Sequence, residues 1–184
     1  MFAGITLGAL AVMIPLDETF QRSTHSFNKK THELTEMFTT MGEGGSFIAI
    51  GVAGMFGAAL DNPRLQAVTM VGLEACFLSG VVAVEPVKRL AGRGRPSQGD
   101  KSYHFRPLSG AKSFPSGHTC QAFTVAAVIE TAFDHHPLAM IPCYLVATGV
   151  ALSRFNDNQH FISDVLTAAA IGIGFRPSRA NNAS

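Results

Sequence analysis

Residues 113–133 read Ser-Phe-Pro-Ser-Gly-His-Thr-Cys-Gln-Ala-Phe-Thr-Val-Ala-Ala-Val-Ile-Glu-Thr-Ala-Phe. Pro115 and Ser116 stand just before an apolar run, Thr119 to Phe133. Serine is a favoured helix N-cap, so the stretch predicts a helix entered at Ser116. The same texture recurs on both sides. Gly44 to Leu60 is an uncharged apolar run that Asp61-Asn62-Pro63 ends. Arg64 to Lys88 reads as a long helix interrupted by little except Pro86. Leu138 to Leu152 and Phe161 to Phe175 complete the set, with Asp134-His135-His136-Pro137 linking two helices. An amphipathic helix is expected around Lys30 to Met41. Ala, Gly and Leu dominate these runs, and strand-like alternation is absent. The expected fold is all-α, a bundle of about five to six helices.

The chain has 184 residues, which suits one domain. Within it we expect an apolar leading segment at 1–16, a catalytic core at about 63–175 and a polar tail at 176–184. Charged residues make up only 15%, below the usual quarter. The formal net charge is +1, which argues against a nucleic-acid partner. Cys76, Cys120 and Cys143 lie dispersed in apolar stretches, without the spacing of a metal or redox motif. They read as packing residues. The segment Met1 to Leu16 lacks a basic leader, so a standard signal peptide is not expected. A leading helix and the remnant of a signal or anchor both remain open.

Three blocks carry chemistry. The first is Lys88-Arg89-Leu90-Ala91-Gly92-Arg93-Gly94-Arg95-Pro96, the second Ser113 to His118, and the third Ser153-Arg154, then His160, then Asp164. Lys88, Arg95 and Arg154 supply fixed cations for the non-bridging oxygens of a phosphoryl group. Gly92, Gly94 and Pro96 break a helix, so Lys88 is expected at a helix end and Arg95 on the following loop. A helix opening at Ser116 offers free N–H groups to an anion. Gly117 lets the backbone approach it, and the Ser116 hydroxyl can donate as well. His118 then stands where it can protonate a leaving alkoxide. His160 and Asp164 are spaced i, i+4, which on a helix puts both on one face. The carboxylate can hold one imidazole nitrogen and leave the other as a nucleophile. Arg154 is read as closing one helix and His160 as opening the next.

Taken together, Lys-x6-Arg-Pro, Pro-Ser-Gly-His and Ser-Arg-x5-His-x3-Asp resemble the signature of the type 2 phosphatidic acid phosphatase superfamily. That superfamily includes lipid phosphate phosphatases, bacterial class A acid phosphatases and vanadium haloperoxidases. With flanking helices the resemblance covers about Pro63 to Phe175. It implies a phosphohistidine mechanism without a metal or other cofactor. His160 would attack phosphorus, His118 would protonate the leaving group, and Asp164 would orient His160. Lys88, Arg95, Arg154, Ser116 and Gly117 would hold the oxygens.

Each block has a plainer meaning alone. Lys88 to Arg95 could be a basic nucleic-acid patch or a juxtamembrane cluster. His160 and Asp164 could be a surface pair or two metal ligands, although no convincing third and fourth ligand accompanies them. His25, His32 and His104 lie in polar stretches and are given no role. Gly42-Glu43-Gly44-Gly45 lacks the ending of a phosphate-binding P-loop.

Two expectations concern location. Gly44–Leu60 and Pro137–Ser153 are each seventeen residues without a charge, at the lower limit of the roughly 17–25 needed to cross a bilayer. We expect a bacterial inner-membrane protein with a periplasm-facing site, acting on a phosphorylated lipid. A soluble or peripheral periplasmic acid phosphatase is the alternative. A vanadium haloperoxidase and a non-catalytic membrane scaffold rank below both. The sequence sets neither the lipid head group nor the oligomeric state.

Overall fold

The computed structural model describes residues 13–22, 38 and 45–177. These form six helical rods, with no strand among the described residues and one isolated bridge, Arg93 to Phe105. Helix α1 spans 13–22, and α2 spans Ser46–Ala59. The third rod runs without a break from Pro63 to Ala91. It comprises α3 (Pro63–Phe77), a π-helical stretch (Leu78–Val84) and α4 (Glu85–Ala91). Then follow α5 (Gly117–Ala132), α6 (Pro137–Asn156) and α7 (Ile162–Gly174). The amphipathic helix expected at 30–41 lies outside the described residues, as does the tail beyond 177.

The sequence explains the joints. Asn62 caps α3, accepting from the backbone N–H groups of Arg64 and Leu65, with Pro63 in the first turn. Pro86 ends no helix. It has no N–H for the carbonyl four residues back, and its ring crowds that carbonyl; the widened π turns lie just before it. The rod therefore continues through Pro86 to Lys88. Gly92 stops it in a left-handed turn at φ 55°. A Cβ there would lie 1.8 Å from the Arg106 carbonyl oxygen, so only glycine allows loop 100–112 to fold back on the helix end.

Helix α5 is the centre of the bundle and packs against α3, α6 and α7. Its buried face is small and partly polar: Thr119, Cys120, Thr124, Ala126 and Ala127. Large apolar side chains instead point outward. Met55 and Phe56 on α2, Met70 and Phe77 on α3, and Leu138 and Leu145 on α6 are all exposed. That inversion is what a bundle shows when its solvent is hydrocarbon.

Two rods are long and apolar enough to cross a bilayer, Pro63–Ala91 and Pro137–Asn156. Only 33% of the most apolar window of each is buried in the bundle, and the rest is partly or fully exposed. The 29 residues of Pro63–Ala91 extend about 43 Å, against a hydrocarbon layer of about 30 Å. This corrects the expected boundaries. The run beginning at Gly44 gives a helix of only 14 residues. The rod expected from Arg64 to Lys88 is the longest and extends to Ala91.

Candidate active site

All three blocks meet at one end of the bundle, where α4 and α6 finish and α5 and α7 begin. Lys88 lies in the last turn of α4. Its ammonium donates to the Lys112 carbonyl at 3.2 Å and sits over the N-terminus of α5, 3.7 Å from where a Gly117 Cβ would stand. Arg95 follows on the loop, as expected, and donates to Gln159 Oε1 at 2.5 Å. The backbone N–H of Ser97 donates to the Asn158 carbonyl at 2.8 Å, tying the Arg95 loop to the segment before His160. Arg154 is buried in the last turn of α6 and donates to Asp157 at 3.0 Å.

Ser116 occupies the cap position of α5, but its hydroxyl caps nothing. It accepts from the Thr119 hydroxyl at 3.0 Å and is fully buried. Its backbone N–H donates to the Asp164 carbonyl at 3.2 Å, which pins the start of α5 to the first turn of α7. His118 is in the first turn of α5 and partly buried.

The His160–Asp164 pair differs from its expected form. His160 is not helical; α7 begins at Ile162, with Phe161 as its N-cap residue. The two side chains meet because the chain turns into the helix there, not because they share a helical face. Asp164 accepts from the backbone N–H of Phe161 at 2.9 Å and from the Ser113 hydroxyl at 2.6 Å, both at Oδ2. His160 Nδ1 lies 3.7 Å from that same oxygen, an electrostatic contact longer than a hydrogen bond. Nδ1 is buried and has no hydrogen-bond partner among the described residues. Burial holds the His160 imidazole below its usual pKa; Asp164 opposes that shift, and the cations of Lys88 and Arg95 add to it. A neutral imidazole with one nitrogen turned to Asp164 has a lone pair available on the other.

Several residues here escaped the motif analysis. Arg93, between Lys88 and Arg95 of the first block, is completely buried and contacts Asp164. Ser113 and Gln159 bond to motif residues, and Ser163 bonds to Arg93. Asp17 on α1 reaches Arg93 and Ser163 from about 75 residues or more away in sequence. Arg93 could have been suspected, since a third arginine in nine residues needs a partner. Nothing around Asp17 signalled its destination. Among the described residues no three His, Cys, Asp or Glu side chains converge as metal ligands.

A family model described as the PAP2 superfamily matches residues 65–176, more than half of the chain. The chain belongs to the PAP2 superfamily. A Lipid A 1-phosphatase of Rhizobium etli is 30% identical over 91% of this chain and 78% of its own length. A Lipid A 1-phosphatase of Porphyromonas gingivalis is 41% identical, over 34% of this chain. That match takes in only 14% of the Porphyromonas protein. Among solved structures, a transmembrane PAP2-type phosphatidylglycerolphosphate phosphatase from Bacillus subtilis superposes with a TM-score of 0.66. It covers 95% of this chain and 90% of that one at 20% identity, which establishes a shared PAP2 fold.

Proposed function

We propose that this chain is a membrane lipid phosphatase working through a phosphohistidine. The observation that carries the reading is the neutral, buried His160 backed by Asp164 and faced by the cations of Lys88 and Arg95, at the end of outwardly apolar helices. In the first step the His160 Nε2 lone pair bonds to phosphorus as the ester P–O bond breaks. His118 gives its proton to the departing oxygen. Lys88, Arg95, Arg154 and the N-terminus of α5 at Gly117 hold the three equatorial oxygens, with Ser116 shaping that helix start. In the second step water attacks phosphorus, His118 takes its proton, and the N–P bond breaks to release phosphate. Three side-chain cations supply the charge that a metal clamp supplies elsewhere.

For the substrate we propose the sugar-linked phosphate of a lipid A-type glycolipid, supported by the relative aligned over most of both chains. Phosphate release by the detergent-solubilised protein should be fastest from lipid A, slower from phosphatidylglycerolphosphate, and slowest from soluble aryl phosphates. Faster turnover of soluble esters would favour a non-specific acid phosphatase instead. We also place the protein in the inner membrane with its site facing the periplasm. A cysteine introduced at the exposed Ser97, beside the site, should then react with a membrane-impermeant maleimide in spheroplasts. Labelling only after lysis would reverse the orientation.

The acid assigned to His118 has its own signature. His118→Ala should slow esters with poor leaving groups by about 10²–10⁴-fold. Activated aryl phosphates, which need little protonation, should lose far less. Equal losses in both classes would make His118 a phosphate ligand only.

A further inference from the structure

Arg93 and Asp17 are both completely buried, at 0% exposure. A guanidinium stays charged at any accessible pH, so burying one requires acceptors on all sides. Arg93 has them. Nε donates to the Ser102 carbonyl at 2.8 Å. Nη1 donates to the Ser163 hydroxyl at 2.7 Å and to Asp164 Oδ1. Nη2 donates to Asp17 Oδ2 at 2.6 Å. The rings of Phe161 and Phe105 lie 4.3 and 5.2 Å from its central carbon. Asp17 in turn accepts from the Ser163 backbone N–H at 2.9 Å and from the Ser163 hydroxyl at 2.5 Å. Next to it, Glu18 accepts from the Ser102 backbone N–H at 3.4 Å.

Charge decides what this arrangement does. Arg93 fixes the far oxygen of Asp164 and leaves Oδ2 to face His160. Alone, however, the guanidinium would cancel much of the field that Asp164 exerts on the imidazole. Asp17, on the other arm of the fork, offsets it. Asp17, Arg93 and Asp164 together carry one net negative charge, and Asp164 is the member that meets His160.

We propose that Asp17 and Arg93 are positioning residues for the catalytic pair: Arg93 holds Asp164 in place, and Asp17 restores the negative field that Arg93 would remove. The inference rests on His160 being the nucleophile, and it makes α1 part of the catalytic apparatus. The groups bearing on His160 are Asp164 from α7, Lys88 from α4 and Arg95 from the next loop. Arg154 closes α6 and His118 opens α5 at the same end of the bundle.

The test is the titration of the His160 imidazole by NMR in the full chain, with its signal assigned by loss in His160→Gln. A nearby negative charge favours the imidazolium. Asp17→Asn should therefore lower the His160 pKa by about one unit, and Arg93→Gln should raise it by about the same. Asp17→Glu should restore the wild-type titration. Each neutralising change should cut kcat by about 10- to 100-fold at nearly constant KM. A lower melting temperature with unchanged titration and kcat would show that the pair only stabilises the fold. If a single variant does not accumulate, Asp17→Asn with Arg93→Gln, which keeps the cluster at one net negative charge, is measured in its place. It should hold the titration near wild type while kcat stays depressed, and wild-type kcat would overturn the proposal. The titration needs no turnover, so it stands apart from the nucleophile assignment. That assignment fails separately if His160→Gln remains active.

Discussion

His160→Ala is expected to abolish turnover, by at least about 10⁴-fold. Among the described residues, His160 is the imidazole that stands beside Asp164 with the cations of Lys88 and Arg95 acting on it. Alanine removes the atom that would bond to phosphorus, and a water in its place lacks both the nucleophilicity and the alignment. The variant should fold, because Asp164 keeps Ser113, Arg93 and the Phe161 N–H when the imidazole is gone. Wild type quenched in alkaline detergent during turnover of a radiolabelled lipid phosphate should carry label that acid then releases, and His160→Ala should carry none. Normal phosphate release by the variant would remove the covalent mechanism.

Asp164→Asn should cost about 10³–10⁴-fold in kcat. The amide cannot stabilise the imidazolium that forms as the N–P bond is made. It also offers one oxygen where the carboxylate serves Arg93, Ser113 and the Phe161 N–H. Its NH2 group would face donors, so the first turn of α7 should shift and His160 with it. Asp164→Ala is a harsher change. It leaves Arg93 with one carboxylate instead of two, and should destabilise the fold by about 3–5 kcal/mol, as breaking a buried ion pair does. Comparing the two by thermal unfolding and by kcat separates the charge's role in chemistry from its role in packing. An asparagine variant of wild-type activity would show that His160 needs no carboxylate.

The match between sequence and structure is uneven for physical reasons. Helix caps and stops act within a few residues, so Asn62, Pro63, Gly92 and Ser116 mark real element ends. Pro86 proved a poorer guide. It looked like the one interruption of the third rod, yet helix hydrogen bonding tolerates a proline preceded by π turns. The motif residues were legible because their spacing places cations, glycine and histidines on either side of short turns. Their partners were not. Ser113 and Ser163 look like any loop or helix serine until the first is seen on Asp164 and the second on Arg93 and Asp17.

What the sequence determined by itself is the all-α class, the three blocks and the residue types that a phosphoryl group requires. Those depend on local propensity and on the chemistry of single side chains. Tertiary structure alone decided that His160 meets Asp164 at a helix entry with a 3.7 Å gap, that the Ser116 hydroxyl turns to Thr119, and that large apolar side chains face outward. It alone brought Asp17 to Arg93, across 76 positions of sequence. A buried guanidinium must find acceptors wherever the fold places them, and that demand leaves no mark on the residues next to either partner.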